Sequence, residues 1–401
     1  MVITRALMEG EVDDDGRAKR TGNSLTATTH IITVVIGAGV LALAYAMAQL
    51  GWIAGIATMI AFAVISTFTY NLVADCYRFP DPITGKRNYT YMQAVKAYLG
   101  GTMYVFCGLV QYTKLAGITV GYTITSATSL VGLSLSVVIS GKGQPTSITG
   151  TRIGPELSAE DKVWRVFSSL GNIALAANYS TVIFDIMDTL KSDPPENKQM
   201  KKANVMGVTA MTILFLLCSG FGYAAFGDHT PGNILTGFYE PFWLVALGNT
   251  FVVIHMVGAY QVMAQPFYRI VEMGANMVWP ESDFINKEYP TKLGNIRFNF
   301  NLFRLIWRTI FVILSTILAM AMPFFNEILS LLGAIGFWPL VVFFPIQMHI
   351  RQRQIKKRTL KWCMLQLLSF MCFIVTVTAV VGSVHGISKD LHKYKVFTYR
   401  Q

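Results

Sequence analysis

Apolar stretches of about 20 residues, each long enough to cross ~30 Å of hydrocarbon, follow one another from Ser24 almost to the C-terminus of this chain. A segment crossing lipid must satisfy its backbone N–H and C=O groups within itself or within a closed barrel, so repeated runs of this length point to membrane-spanning helices. Composition agrees. Of the 401 residues 53% are hydrophobic and 14% charged, with a mean hydropathy of +0.46, where soluble domains carry roughly a quarter charged residues. No separate soluble domain remains, and the chain reads as one all-α polytopic membrane protein.

Runs and breaks place spans at 24–49, 52–76, 102–140, 164–190, 203–226, 242–268, 302–322, 327–348 and 359–386. The first 23 residues are polar and of mixed charge ("EVDDDGRAKR") and read as a mobile cytoplasmic tail, unlike a cleavable signal. The third run is too long for one ordinary span, about 58 Å as a helix, and too short for two spans and a turn. Charge decides its parity. With one crossing there and the N-terminus in the cytoplasm, the inside loops 191–202, 269–304 and 349–361 hold 4, 5 and 6 Lys/Arg, against 8 in the outside segments after residue 140. A hairpin would invert that ratio and break the positive-inside rule. The expectation is nine crossings, with a transmembrane domain over 24–386 and a short extracellular tail over 387–401. The net charge of +11 is then the topogenic excess of basic loops, with no nucleic acid as partner. Cys76, Cys107, Cys218, Cys363 and Cys372 all lie within or beside apolar runs and form no CxxC pair, so neither a disulfide framework nor a metal site is expected.

No GxxxxGK[ST], HExxH or GxSxG occurs, which argues against an enzyme, against catalytic residues and against a nucleotide cofactor. Uphill movement of a solute would then need an ion gradient. Two spans carry residues that weaken their own helix. Gly37 and Gly39 fall mid-span in "VVIGAGVLAL", and each glycine costs ~1 kcal/mol relative to alanine. "GNIALAANYSTVIFDIMDTL", from Gly171, is poor in Leu, Ile and Val and holds Asn172, Asn178, Ser180, Asp185 and Asp188. Paired interruptions of this kind mark the central site of many transporters, where half-helix ends meet the charged ends of a solute. Small residues that let helices pack closely are the competing explanation. Ionisable groups inside the membrane are functional suspects: His30 before the first break, Lys114 in the third run, Asp185, and His255. For each, a packed or solvated side chain is the alternative, and for Asp185 with Asp188 that alternative is capping of Lys191 or of the following loop. Lys114 must find a carboxylate, reach water or lose its proton, and Asp185 is a candidate partner. Tyr122 lies two turns beyond Lys114 on a similar helix face. The sequons at Asn88 and Asn178 fall inside the cell and inside the membrane, and neither is expected to be glycosylated.

"HIITVVIGAGVLALAYAMAQLGW", "RNYTYMQAVKAYLG", "GYTIT", "DTLKSDPPENKQMKKAN", "GYAAFGDHTPGNILTGFYEPFW", "HMVGAYQVMAQP" and "FPIQMHI" resemble the plant amino acid permeases of the amino acid/auxin permease family, over nearly the whole chain. The resemblance implies proton-coupled uptake of neutral and acidic amino acids across the plasma membrane. It also implies the inverted five-plus-five helix fold shared with sodium-coupled leucine transporters. By that resemblance the substrate meets the backbone around Ile36, Gly37, Ala38, Gly39 and Val40, the stretch Asn172–Asn178 with Ala174, Tyr122, and the span of His255. His30 falls where the family also places a histidine. Three departures stand out. Members of this type have eleven helices, whereas here "GYTITSATSLV" runs directly into "GLSLSVVISGKG", as if the fourth and most of the fifth helix were missing between residues 131 and 132. Lys114 replaces a usually neutral residue, and Asp185 stands where glutamate is more common. One repeat would then have three members and the other five, compromising alternation between matched halves. The expected function is an amino acid symporter with protons and the lipid bilayer as partners. The alternatives are a transport-inactive shortened form that associates with full-length permeases, and a related carrier for auxin or proline.

Overall fold

A computed structural model describes residues 12–17, 19–134, 146–155, 157–237, 241–293, 296–321 and 324–393. The chain is a mostly helical, polytopic membrane protein. Among the described residues, six helical stretches have the length and apolarity to cross a membrane: Leu43–Asp75, Glu196–His229, Phe242–Val278, Leu302–Ala321, Phe325–Gln352 and Leu360–His392. The chain divides into two compact units. One comprises Met1–Gln111, Ser140–Gly237 and Asn326–Ser388, the other Tyr112–Ile139, Phe238–Phe325 and Lys389–Gln401.

In the first unit, helix α1 (Ser24–Val35) starts at Asn23, whose side chain accepts from the amides of Leu25 and Thr26 while Thr26 Oγ1 accepts from the Asn23 amide. This reciprocal cap satisfies amides that have no partner in the first turn. Ala27, Thr28, Ile31 and Val35, spaced by one helical turn, form its buried face. That face packs against helix α8 (Glu196–Phe226). A single helical turn, α2 (Ala38–Leu41), leads into α3 (Leu43–Asp75). The sequence expects separate spans on either side of residues 50–51, and the helical path of α3 is indeed interrupted at Gly51, with φ +80°. Any side chain there would collide with the loop that closes over the turn, since a Cβ would lie 2.2 Å from Ile148 O. Thr151 N–H fixes that loop by bonding Ala48 O at 2.8 Å.

After a hairpin of two-residue strands, β1 (Arg78–Phe79) with β2 (Lys86–Arg87), come α4 (Tyr91–Leu99) and α5 (Gly101–Ser134), whose residues from Tyr112 on belong to the second unit. Helix α5 takes up most of the over-long third run and passes unbroken through Val131 and Gly132; the last residues of that run lie outside the described ones. The fourth run divides into α6 (Ala159–Ala176), capped by Ser158, and the short α7 (Ile183–Met187). Later come α12 (Phe325–Gly336), a π-helical segment over Phe337–Phe343, α13 (Phe344–Gln352) and α14 (Leu360–Lys393). The core of the unit is one apolar cluster to which α1, α3 to α8, the π-helical segment, α13 and α14 all contribute, with Met47, Tyr70, Phe184 and Met200 fully buried.

The second unit contains α9 (Phe242–Val278), a short α10 (Asp283–Asn286), a hairpin of β3 (Glu288–Leu293) with β4 (Ile296–Asn301) in register Glu288 to Asn301, and α11 (Leu302–Ala321). The sequence reading treats 269–304 as a loop, and this is corrected: α9 extends ten residues past Tyr268 and the hairpin follows. The charges that appear to end the apolar run are satisfied between helices, because Arg308 of α11 bonds Glu272 through Nε at 2.9 Å and Nη2 at 2.7 Å. Ala264, Tyr268 and Phe311 form the buried contact of these two helices. The polar N-terminal segment also differs from expectation. Arg20 is buried among carboxylates instead of extending into solvent, because its charges have complementary partners within the first unit.

Candidate functional site

The two interruptions foreseen in the sequence both occur in the first unit, and they touch. The first lies at Ile36 and Gly37. Ile36 N–H still reaches back to Ile32 O at 3.0 Å, but its ψ of 96° turns the chain out of the helix, and the next bond is Val40 N–H to Gly37 O at 3.1 Å. The second interruption runs from Ala177 to Val182, between α6 and α7. Ala177 N–H closes α6 on Ile173 O at 3.1 Å, and Asn178 N–H bonds Leu175 O at 3.2 Å. Gly39 is where the two breaks meet. A Cβ on it would lie 3.1 Å from Ala176 Cα and 3.2 Å from Ala176 N. The glycine therefore serves both explanations raised by the sequence: it permits close packing, and the packing it permits brings one helix break against the other.

Side chains fix the shape of the second break. Asn178 Oδ1 accepts from Ser180 N–H at 3.0 Å and from Ser180 Oγ at 2.7 Å, an Asx-type turn. Tyr70 Oη accepts from the Tyr179 amide at 3.1 Å, with its ring centroid 4.1 Å from that of Tyr179. Tyr179 Oη donates to Asn204 Oδ1 at 3.0 Å, and Asn204 in turn donates to Asn71 at 3.1 Å. Asn172, fully buried in α6, donates through Nδ2 to Asn326 Oδ1 at 2.8 Å. Asn172 Oδ1 and Asn178 Nδ2 are left without a protein hydrogen-bond partner among the described residues. A buried polar atom left unpaired costs ~1–3 kcal/mol, so such atoms call for a functional explanation. They differ in kind: an acceptor suits an ammonium, and a donor suits a carboxylate. Beside the breaks, Leu43, Met59, Ile173, Ala177, Met211 and Phe215 line a small apolar cavity with Thr212 as its one polar side chain. Charged ends of a solute would find no partners there, whereas the interrupted backbones supply them.

The remaining candidates divide between the units. Ala174 is buried in α6. His30 is exposed on α1, off the face that packs on α8. Asp185 is exposed on α7. Its neighbour Asp188 does not cap Lys191. It accepts from Arg20 Nη2 at 2.6 Å and from Tyr77 Oη at 2.9 Å, because the docked N-terminal segment brings an arginine to it that sequence separation conceals. Lys114, Tyr122 and His255 belong to the second unit. Lys114 is 1% exposed and Tyr122 9%, while His255 is half-buried. Lys114 makes no salt bridge among the described residues, with Asp185 or any other carboxylate. Sequence reasoning missed Tyr70, Tyr179 and Asn326. No local signal marks them, since each acts through a partner far away in the chain.

The model of the family "Transmembrane amino acid transporter protein" matches residues 20–147 and 133–389. Amino acid permease 8 of Arabidopsis thaliana is 46% identical over 454 aligned residues, covering 96% of this chain and 95% of its own length. Amino acid permease 1 of the same plant is 44% identical over 452, covering 96% and 93%. Amino acid permease 6 is 44% identical over 455, covering 96% and 94%. These alignments are longer than the 401-residue chain itself, so the relatives contain residues with no counterpart here.

Proposed function

This chain belongs to the family of transmembrane amino acid transporter proteins, and we propose that it imports neutral and acidic amino acids across the plasma membrane in symport with protons. The family consists of transporters, not enzymes. The observation that carries the reading is the contact of two interrupted helices at Gly39 and Ala176, flanked by an unpaired acceptor on Asn172 and an unpaired donor on Asn178. The backbone from Ile36 to Val40 would take the carboxylate with Asn178, and Asn172 the ammonium. Ala174 keeps the wall of the site small, and Tyr122 and the span of His255, both in the second unit, are substrate-binding candidates on the family resemblance alone. The proton would be carried by one of His30, Lys114, Asp185 and His255. Of these, Lys114 is the one fully buried cation. We further propose a cytoplasmic N-terminus, a transmembrane domain over 24–386 and an extracellular tail over 387–401, on the charge balance of the loops.

Uptake of labelled alanine and glutamate by permease-deficient yeast, compared at external pH 5 and pH 7 and with a protonophore, tests the reading. The expected result is saturable uptake that is faster at pH 5 and is abolished by the protonophore. Absence of uptake despite surface expression would overturn it. One observation favours a second reading, a non-transporting partner of full-length permeases. The relatives' alignments exceed the length of this chain, and the family match falls into two segments that meet at residues 133–147. That overlap adjoins the junction at 131–132 where the sequence suggests lost helices.

A further inference from the structure

The acidic run Asp13–Asp14–Asp15 makes contacts that a solvated tail would not. The Asp14 carboxylate takes a bond from Arg78 Nη1 at 2.9 Å and another from Arg87 Nη1. Both arginine side chains are almost completely buried and are held from the other side by Glu196, at 2.7 Å from Arg78 Nη2 and 2.9 Å from Arg87 Nη2. Asp15 pairs with Arg20 Nη2 at 2.7 Å, and Asp13 with Arg20 Nη1 at 2.9 Å. Arg20 also grips Asp188, bonding its Oδ1 at 2.6 Å and its backbone carbonyl at 2.7 Å. Two residues later the backbone continues the attachment: Gly22 N–H bonds Thr189 O at 2.9 Å, and Lys191 N–H bonds Gly22 O at 3.0 Å.

Exposed ion pairs contribute ~0–1 kcal/mol, but here three arginines are buried, and removing their acidic partners would leave uncompensated charge. The position of the cluster gives it consequence. Gly22 lies one residue before the cap of α1 at Asn23, so close to the start of the first half of one interrupted helix, and Thr189 follows the Asp188 cap of α7, the second half of the other. Each half is joined to its mate through a break without continuous helical hydrogen bonds, which can act as a hinge. Its far end is the end that the Asp13–Arg20 segment fastens.

We propose that Asp13–Arg20 is a charge-held strap that ties together the far ends of the two interrupted helices, and that it must release for α1 and α7 to swing away from the bundle. Its attachment depends on the acidic triplet and weakens with ionic strength. Release uncovers the face of α1 that packs on α8, where Thr28 is buried.

The test uses the full chain in lipid nanodiscs, with Thr28→Cys in a Cys363→Ser background, since the other four cysteines are buried or half-buried. This protein is compared with and without D13N/D14N/D15N. Trypsin cutting after Arg17, Lys19 and Arg20 reports release of the strap, and labelling by a polar maleimide reports exposure of position 28. Both rates are expected to rise on the order of tenfold in the neutralised variant. The unneutralised protein is expected to move in the same direction at 1 M salt, by a smaller factor because buried pairs are screened less. Faster cutting with unchanged labelling would reduce the segment to a passive tether and overturn the proposal. Unchanged cutting would overturn it outright. The salt arm keeps the test decisive if the triple variant folds poorly. Neither readout requires transport, so the strap and the transport reading can fail separately.

Discussion

Gly39 sets how closely the two helix breaks approach. With a Cβ the residue would press on Ala176 at 3.1 Å, so alanine requires a shift of a few tenths of an ångström, while valine has no room for its methyls. Gly39→Val should destabilise the first unit by ~1–3 kcal/mol through overpacking and separate the two helix breaks. Gly39→Ala should keep the fold with a smaller loss. Thermal unfolding of the purified protein, run beside amino acid uptake, checks both. Tyr70→Phe isolates a different term. It keeps the ring stacked on Tyr179 but removes the acceptor of the Tyr179 amide, and an orphaned buried amide costs ~1–3 kcal/mol. The expected outcome is a lower unfolding temperature, with Tyr70→Leu lower still because the ring contact is lost as well. The two residues were unequally visible in the sequence. A glycine amid aliphatic residues declares a break by its own helix cost, whereas Tyr70 is indistinguishable from any packed tyrosine until the fold brings residue 179 to it.

Whole elements repeat that contrast. The breaks in the first and fourth runs, and the division at Gly51, were legible because each interrupts an apolar pattern locally. The extension of α9 and the β3–β4 hairpin were not, because Glu272 reads as the end of a span until Arg308 neutralises it from another helix. The N-terminal segment is the clearest case: "EVDDDGRAKR" has the composition of a free tail, and only partners distant in the chain, Arg78, Arg87 and Asp188, make it a docked element. Its response to acid follows from the carboxylates. Burial pushes Asp14 upward, but the bonds from Arg78 and Arg87 outweigh it and hold the group below its ordinary value of 3.8. The bond from Arg20 holds Asp15 well below that value against the opposing effect of burial. Groups whose folded pKa is depressed stabilise the docked form fully above their ordinary value, and the contribution disappears as pH falls through the depressed one. A spin label at Val12→Cys should therefore stay immobilised from pH 7 down to about pH 4 and gain mobility progressively at lower pH. Mobilisation already between pH 7 and pH 5 would mean that these carboxylates do not hold the segment.

For the molecule as a whole, a binding site and a complete transport cycle are separate requirements. The contact of Gly39 with Ala176 lies wholly within the first unit. Alternation of access depends on matched repeats covering the pathway's polar faces, and polar backbone facing lipid is costly. The two requirements can be separated by one chimera. If helices are lost at 131–132, inserting there residues of Amino acid permease 8 that lack a counterpart in this chain would restore the helix count, while every residue of the proposed first-unit site stays unchanged. If the shortened chain is limited by alternation, the chimera should raise the maximal uptake rate by an order of magnitude or more, about 1.4 kcal/mol in the limiting step. The half-saturating concentration should change little, because the groups proposed to hold the amino acid are the same. If the shortened chain already cycles, the rate should not rise, and half-saturation should shift only where the inserted helices touch the solute. Radiolabelled uptake normalised to surface protein distinguishes these outcomes. A chimera that binds amino acid, detected as a thermal shift, but still does not transport would place the defect elsewhere than at 131–132.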